Sequence, residues 1–489
     1  MDRGKLGYVF VFLTVILLGG CSSESQQDRE STTARGSVWK QQAIDDVITP
    51  WTQNGYNPQT TTFPAYMDRQ WEPYQGNSQF PGMVARHVFS YSTAYLLTGD
   101  DQYLSVADRI VDYMIENGWD SEHGLWFNEL DAEGNPVDFK KDMFMQLYAV
   151  TGLAMYYVVT KDERVWGYIN KSIDLLNEYA WDDEHEGYIN ILARDLSVDD
   201  ATKKATPQLA PISGYLAYLY PATRDQQYLD EQIRGIELIL EKMMAPEQEW
   251  LLESFTQDWQ LHEEQSNRVN VGHNLEVVWL LLRLHLLTGD DTYREQALEL
   301  YTPLYEIAFN TQTGAWHHSF LRDTNEKRES TTWWIQAYGN MLELYMYRIT
   351  GAQQHLDNFD KGARFWNDYF MDKEYGASFL RVHIDGELED GSKAVRSKTA
   401  YHSMEHGLLN YLYTNLWVDR QPVTLHYRIS SSTEGDTLYP NITEDPDIEI
   451  QQVLIEGKSW EKYNNDEGSI LLPVLKNGKV EVRLLSTQN

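Results

Sequence analysis

Residues 276–304 read EVVWLLLRLHLLTGDDTYREQALELYTPL: an apolar helical run, a polar break at Thr288 and a second, amphipathic run. Two such runs predict a helical hairpin with a buried first helix and a half-exposed second helix. The break recurs at intervals of 62 to 65 residues, at Thr98, Thr160, Thr223, Thr288, Thr350 and Thr414. A near-constant period of this length is typical of a repeat architecture.

The repeats predict a closed ring of hairpins. The sixth copy, HGLLNYLYT at residues 406–414, lacks a following outer helix, but residues 38–52 near the start can supply one. We therefore predict an all-α (α/α)6 barrel of six helical hairpins over residues 37–418. Segments between hairpins, such as WDSEHGLWFNEL at residues 119–130, alternate like strands and predict short β-ribbons at one barrel mouth.

The pattern changes after Trp417. Short alternating runs such as PVTLHYRI and KVEVRLL, separated by polar loops, predict a small β-domain over residues 419–489. This domain carries no motif for chemistry. A lid or packing role is favoured over sugar binding.

Residues 1–21 predict a lipoprotein signal peptide. A charged start precedes an apolar run at residues 6–18, and Leu-Gly-Gly-Cys at residues 18–21 resembles a bacterial lipobox. Cys21 is the only cysteine of the chain, so after lipidation neither a disulfide nor a thiol nucleophile remains. Residues 22–36 are polar and predict a flexible linker. We expect a lipid-anchored protein of the bacterial cell envelope, at the outer membrane or periplasmic face.

The formal charge of -34 argues against nucleic acid as a partner, because phosphate binding depends on lysine and arginine. A neutral or cationic small molecule is favoured. The 32 tyrosines and 16 tryptophans suffice for a large core and an aromatic-lined cleft of the kind that stacks on sugar rings. Without a Gly-rich dinucleotide motif, we predict no cofactor and no metal. The oligomeric state is left open.

Counting back twelve positions from each repeat threonine gives one register on the inner helices. It holds Arg86, Tyr148, Pro211, Glu276, Tyr338 and His402. Equal register implies equal depth, so Arg86, Glu276 and His402 are expected to converge with His273, one turn before Glu276. The pocket would lie near the inner-helix N-termini, whose positive potential suits an oxyanion.

The chain resembles the N-acylglucosamine 2-epimerase superfamily, which includes cellobiose 2-epimerases and aldose–ketose isomerases. The resemblance covers about residues 38–418. It is carried by ARHVFSYSTAYLLTGD around Arg86, VGHNLEVVWLLLRL around His273, TTWWIQAYGNMLELY around Trp333 and KTAYHSMEHGL around His402.

The resemblance implies a sugar epimerase or isomerase that removes a proton at C2 of an opened aldose. His273 and His402 would be the two acid/base groups, and Arg86 would hold the oxygen that becomes negative. Glu276 would orient the His273 imidazole. The expected substrate contacts are Trp333, Trp334, Tyr338 and Tyr148. A free oligosaccharide or an N-acyl amino sugar is the expected substrate.

One segment departs from the family. Cellobiose epimerases and mannose-type isomerases usually carry His-x-His on the third inner helix, but ATPQLAPISGYLAYLY has none and Pro211 stands at the second position. The choice between epimerisation and isomerisation, and retention of activity, are therefore left open.

Three alternatives remain. A glycoside hydrolase would use two carboxylates, for which Asp131, Asp142 and Glu276 are candidates. His402-Ser-Met-Glu405-His406 also matches a zinc-peptidase pattern. A sugar-binding lipoprotein without activity is the third.

Overall fold

The computed structural model describes Met1, residues 36–245, residue 247 and residues 249–487. The predicted signal peptide, Cys21 and nearly all of the predicted linker lie outside these described residues. Most of the described chain up to residue 419 is helical. In chain order the α-helices are α1 (Gly36–Gln42), α2 (Pro81–Thr98), α3 (Asp101–Tyr113), α4 (Met143–Thr160), α5 (Glu163–Tyr179), α6 (Ala205–Pro211), α7 (Ala217–Thr223), α8 (Gln226–Lys242), α9 (Val271–Thr288), α10 (Asp291–Ala308), α11 (Trp333–Thr350), α12 (Gln353–Phe365) and α13 (Tyr401–Tyr413).

Several helices continue into, or are joined by, wider π-helical turns. These turns are Ala43–Ile48, Trp51–Gly55, Met114–Gly118, Ile212–Leu216, Trp366–Phe370 and Thr414–Asp419, and Glu263–Gln265 is a 3-10 turn.

Six inner helices form a closed ring. The inner helices are α2, α4, the broken helix α6–α7, α9, α11 and α13; each packs on the next, and α13 packs back on α2. Helices α3, α5, α8, α10 and α12 cover them from outside. The N-terminal segment α1 with Ala43–Ile48 packs on α13, as predicted for the sixth outer helix. The order of these contacts is that of six helical hairpins.

The inner helices are buried nearly all round, whereas each outer helix buries one face. Among the described residues, α4 alone has the length and apolar composition of a membrane span. Its position explains this composition, because 89% of that stretch is buried inside the protein.

The recurring threonine joins each inner helix to its outer helix. The Thr98 hydroxyl donates to the Ala94 carbonyl at 2.7 Å and accepts the Asp100 N–H at 3.2 Å. Asp100 in turn caps α3 by accepting the N–H of Gln102. The same threonine pattern recurs at Thr160, Thr223, Thr288 and Thr350. The repeat is therefore a helix-to-helix turn with a defined hydrogen-bonding function.

Short antiparallel sheets lie between the hairpins, at the mouth where the inner helices begin. Their strands are β1 (Glu129–Leu130), β2 (Pro136–Asp138), β3 (Lys141–Asp142), β4 (Ile191–Leu192), β5 (Val198–Asp200), β6 (Lys203–Lys204), β7 (Ser254–Phe255), β8 (Arg268–Asn270), β9 (Ser319–Leu321), β10 (Ser330–Thr332), β11 (Arg381–His383) and β12 (Leu388–Asp390). They pair as β1-β2, β3-β4-β5, β6-β7, β8-β9 and β10-β11-β12.

The C-terminal residues form antiparallel sheets that pack on the opposite mouth. Their strands are β13 (Val423–Ser432), β14 (Thr437–Leu438), β15 (Ile448–Ile455), β16 (Lys458–Ser459), β17 (Tyr463–Asn464), β18 (Ser469–Leu471) and β19 (Leu475–Ser486). The order is β13-β19-β15-β16 in one sheet and β14-β18-β17 in the other. Strand β13 packs on α2 and α4, next to the positive-φ residue Gly99 that ends α2.

Candidate active site

A cavity of about 380 Å³ opens at the mouth where the inner helices begin. Its walls come from the first turns of the inner helices and from the short sheets beside them. The lining residues are Arg86, Phe144, Tyr148, Thr206, His273, Glu276, His318, Thr332, Trp333, Trp334, Tyr338, Leu380, Arg381, Val395, Ser397 and His402.

All eight predicted site residues of the barrel line this one cavity. The repeat register brings Arg86, Tyr148, Glu276, Tyr338 and His402 to its wall from five inner helices. His273, Trp333 and Trp334 join them from the first turns of α9 and α11. Residues at the same position in successive repeats therefore lie at the same depth in the barrel. The ninth predicted residue, Cys21, is outside the described residues.

Arg86 is a buried cation stacked on an aromatic ring. Its guanidinium carbon lies 3.6 Å from the ring centre of Tyr148, and Nη1 donates to the Ser397 carbonyl at 2.8 Å. In the described part of the chain no carboxylate forms an ion pair with Arg86. Glu276 therefore does not neutralise it, and the guanidinium remains available to a negative oxygen in the cavity.

His273 is held by a carboxylate that the sequence did not point to. Its Nδ1 lies 2.9 Å from both carboxylate oxygens of Glu253, which directly precedes β7. Burial alone would lower the pKa of His273, but the charge and hydrogen bond of Glu253, with the charge of Glu276, raise it to about 9.

Glu276 was predicted to orient the His273 ring, but the structure gives that contact to another glutamate. Glu253, and not Glu276, makes the hydrogen bond to the His273 ring. Glu276 acts on His273 through its charge alone, and burial raises its own pKa. The physical reason is direction: the Glu276 side chain lines the cavity floor, while Glu253 approaches Nδ1 from the connecting segment.

His402 sits in a drier and more aromatic environment. Its ring centre lies 6.0 Å from that of Trp333, 6.2 Å from that of Trp334 and 5.9 Å from that of Tyr338. Burial lowers the pKa of His402 to about 4, in spite of Glu405 one helical turn away. The Glu405 Oε2 atom is 3.6 Å from Nδ1, so the pair is not hydrogen bonded at this separation.

The two histidines therefore differ in charge at neutral pH. His273 is an imidazolium, whereas His402 is a neutral base. Trp334 lies between them, with its ring centre 5.3 Å from that of His273. One cavity thus holds a proton donor, a proton acceptor and a free cation, the set that proton transfer beside a carbonyl requires.

The third inner helix, whose sequence lacks the His-x-His element, is interrupted. α6 ends at Pro211, and Gly214 in the following turn has non-helical angles of φ -95 and ψ -113. Proline removes a helix hydrogen bond and crowds the preceding turn. Pro211 is buried but does not line the cavity, so the third repeat contributes only Thr206 to its wall.

Two of the three carboxylates proposed for a hydrolase, Asp131 and Asp142, do not line the cavity. Asp142 caps α4 by accepting the Phe144 N–H at 3.0 Å, and Asp131 closes a turn with Asn135. Glu276 is the one carboxylate that lines the cavity within the described residues. This leaves the two-carboxylate arrangement without its second member.

The two histidines that match the zinc-peptidase spacing, His402 and His406, do not face a common site. His406 packs between the rings of Trp39 and Trp366, and its Nε2 lies 3.1 Å from Asn340 Nδ2. It faces the outer helices, whereas His402 faces the cavity. Within the described residues no group of three His, Cys, Asp or Glu side chains is arranged to hold a metal ion.

The barrel of six helical hairpins places two histidines and an arginine around one cavity. The family model of N-acylglucosamine 2-epimerase (GlcNAc 2-epimerase) matches residues 63–405. The chain belongs to this family.

Its relatives are sugar epimerases and isomerases. A cellobiose 2-epimerase of Bacteroides fragilis is 27% identical over 65% of this chain and 84% of its own length. A D-mannose isomerase of Marinomonas mediterranea is 21% identical over 68% of this chain and 86% of its own length. The solved cellobiose 2-epimerase of Spirochaeta thermophila has the same fold, with a TM-score of 0.72 at 22% identity over 80% of this chain and 99% of that protein.

Proposed function

We propose that this protein interconverts sugars by moving a proton at C2 of an opened aldose, with His402 as base and His273 as acid. The observation that carries this assignment is that His273, His402 and Arg86 line one cavity, and burial and Glu253 shift the pKa values of the two histidines in opposite directions. Family membership supports the same reaction class.

The chemistry follows from the charges of the three groups. His402 takes the C2 proton, the C2–H electron pair forms a C1–C2 double bond, and the C1 oxygen becomes negative. Arg86 stabilises that oxygen by charge-assisted hydrogen bonding. For epimerisation, His273 then donates its proton to the opposite face of C2, and the C1 carbonyl re-forms. For isomerisation, it donates the proton to C1, and the O2 hydroxyl proton passes to O1 as C2 becomes the carbonyl.

Free neutral sugars are the first substrates to test. A panel of cellobiose, mannobiose, glucose, mannose, N-acetylglucosamine and N-acetylmannosamine is incubated in heavy water and followed by proton NMR and mass spectrometry. We expect a new epimer with deuterium at C2, or a new ketose with deuterium at C1. His273→Ala and His402→Ala should each lower the rate by about a hundredfold or more, because each removes one proton-transfer group.

This comparison requires folded variants. Circular dichroism and thermal unfolding establish that each variant is folded. Wild-type exchange in either alanine variant would refute the role of that histidine. Sugar binding without exchange in the wild-type protein would instead favour a binding protein built on the epimerase fold.

A further inference from the structure

Three arginines and a histidine gather on the strands at the cavity mouth. Arg268 lies on β8 and Arg381 on β11. His318 directly precedes β9, and Arg328 lies two residues before β10. The strands bring them together, because the His318 N–H donates to the Ser330 carbonyl and Thr332 pairs with Arg381.

The charges of these groups act on one another. Burial lowers the pKa of His318 to about 4, and the charges of Arg328, Arg381, Arg268 and His273 lower it in the same direction. Burial and the charges of Arg381 and Arg268 also lower the pKa of Arg328, and Glu389 opposes them. The mouth therefore concentrates positive charge on a chain whose formal charge is -34.

Other arginines at the mouth form ion pairs with acidic residues, but the three arginines of this group do not do so among the described residues. Arg69 pairs with Asp372 at 2.9 Å, and Arg194 pairs with Asp120 at 3.0 Å. Within the described part of the chain, no ion pair involves Arg268, Arg328 or Arg381. Arg381 Nε and His318 Nδ1 are also buried without a hydrogen-bond partner among the described residues. Such unsatisfied donors at a cavity wall are costly unless a ligand contacts them.

The cavity wall carries two arginines and one carboxylate. Arg86 and Arg381 line it together with Glu276, while the charge of His273 is compensated by Glu253. Arg86 and His273 are used by the proton transfer at C1 and C2. Arg381 has no role there, and it lies on the mouth side of the cavity.

We infer that the substrate is an acidic sugar whose carboxylate is bound at the mouth by Arg381, with Arg268 and Arg328 at the rim. This inference rests on the proposed function and names its substrate class. It reverses the expectation of a neutral or cationic ligand drawn from total charge. A planar guanidinium binds a carboxylate through two parallel hydrogen bonds, and no ammonium group reproduces that geometry.

The test compares two disaccharides that differ in one group. Cellobiose and the same disaccharide with glucuronic acid at its non-reducing end are assayed for C2 exchange in heavy water. We expect kcat/KM for the acidic disaccharide to exceed that for cellobiose by about tenfold or more, as for hydrogen bonds to a charged group. High salt should weaken the preference.

Variants locate the preference. Arg381→Met should reduce the ratio of the two kcat/KM values by about tenfold, and Arg381→Lys should restore little of it. Arg364→Met, on the outer helix α12, is the matched control and should leave the ratio unchanged. Equal kcat/KM values in the wild-type protein, or an equal loss for both sugars in Arg381→Met, would overturn the inference.

Binding separates this inference from the proposed reaction. Calorimetry with the His402→Ala variant measures affinity for both disaccharides without turnover. Tighter binding of the acidic disaccharide by this variant supports the inference even if the wild-type protein shows no exchange on any sugar, and that combination would overturn the proposed reaction instead. If the protein exchanges neutral sugars but neither affinity nor kcat/KM is higher for the acidic disaccharide, the inference is overturned and the proposed reaction stands. A disaccharide with sulfate in place of the carboxylate shows whether the mouth selects carboxylate or any oxyanion.

Discussion

At the residue scale, the two histidines show how one side-chain type acquires two roles. Each is followed by a glutamate three positions later, in His273-x-x-Glu276 and His402-x-x-Glu405. Neither glutamate makes a hydrogen bond to its own histidine. Glu405 instead accepts the hydroxyls of Tyr218 and Tyr401, at 2.8 and 3.1 Å. The opposite pKa shifts therefore come from distance and burial: Glu253 lies 2.9 Å from His273, whereas Glu405 stays 3.6 Å from His402 and burial outweighs it.

Replacing Glu253 by glutamine should change the pH dependence of the reaction. The substitution keeps the shape but removes the charge that overcomes burial, so the pKa of His273 should fall from about 9 to below its ordinary 6.5. A raised pKa keeps the histidine protonated up to the folded-state value, so the acid form is lost at lower pH in the variant. The alkaline limb of kcat should shift to lower pH by more than about two units.

Proton NMR of the His273 ring and a pH profile of kcat check this prediction. Glu263→Gln, an exposed glutamate in the same connecting segment, is the control and should leave the limb in place. An unmoved limb with a correctly folded Glu253→Gln protein would show that Glu253 only packs against the ring.

The sequence could predict those site residues that obey the helical repeat. Arg86, Tyr148, Glu276 and His402 were found by counting from a threonine, because equal register on a ring of helices means equal depth. Glu253, His318 and Arg381 lie on short strands and their connections, which have no such period. Their approach to the cavity depends on how β7, β9 and β11 pair with their neighbours, and pairs of two or three residues leave too weak a pattern to read.

At the element scale, the helical hairpins were predictable because one turn is repeated with its hydrogen bonds. The sixth copy shows what the threonine does when no outer helix follows. The Thr414 hydroxyl is buried without a partner among the described residues, and the chain continues into the π-helical turn Thr414–Asp419. The break at Gly214 was not predicted as such, because the helical pattern of the sequence continues through it.

The close contact of α2 and α4 depends on glycine. A Cβ atom built at Gly152 would collide with the backbone carbonyl of Ala85, and one at Gly82 would collide with the Met145 backbone. Gly152→Ala should therefore force the two inner helices apart and destabilise the protein by about 3 kcal/mol. Denaturant unfolding followed by circular dichroism measures this change.

Gly167→Ala is the matched control on the outer helix α5. Nothing lies within 4 Å of a Cβ at that position. Alanine there should stabilise the protein by about 0.5–1 kcal/mol, because it lowers the backbone entropy of the unfolded chain. Similar effects of the two substitutions would contradict the packing argument.

At the scale of the whole molecule, total charge and local charge point in opposite directions. The outer helices and loops carry the acidic excess, whereas Arg86, Arg268, Arg328 and Arg381 surround the cavity. Total charge describes the solvated surface and bears on solubility and non-specific binding. It therefore argues against a nucleic-acid partner more directly than it identifies the ligand of one cavity.

The C-terminal β-domain closes the barrel mouth opposite the cavity. Residues 441–445 of its connecting loop are buried, and Glu444 contacts Arg283 and the Tyr345 hydroxyl from two inner helices. Beside it, Asp445 accepts Arg348 at 2.7 and 2.9 Å and the Trp417 ring N–H at 2.8 Å. These contacts support the packing role expected for this domain.

Asp445→Asn tests whether the domain and the barrel unfold together because of this contact. Arg348 has a side chain that is 9% exposed, so neutralising its buried partner weakens two charge-assisted hydrogen bonds and should cost about 2–3 kcal/mol. Asp447 binds the same arginine at 2.8 Å but is 43% exposed, so Asp447→Asn should cost less than about 1 kcal/mol.

Calorimetry should show one transition in the wild-type protein and in Asp447→Asn. In Asp445→Asn we expect the β-domain transition to separate and move to lower temperature, since its main polar anchor to the inner helices is lost. Equal destabilisation by the two substitutions would mean that burial does not decide the strength of this anchor, and that the apolar contacts of β13 hold the domain instead.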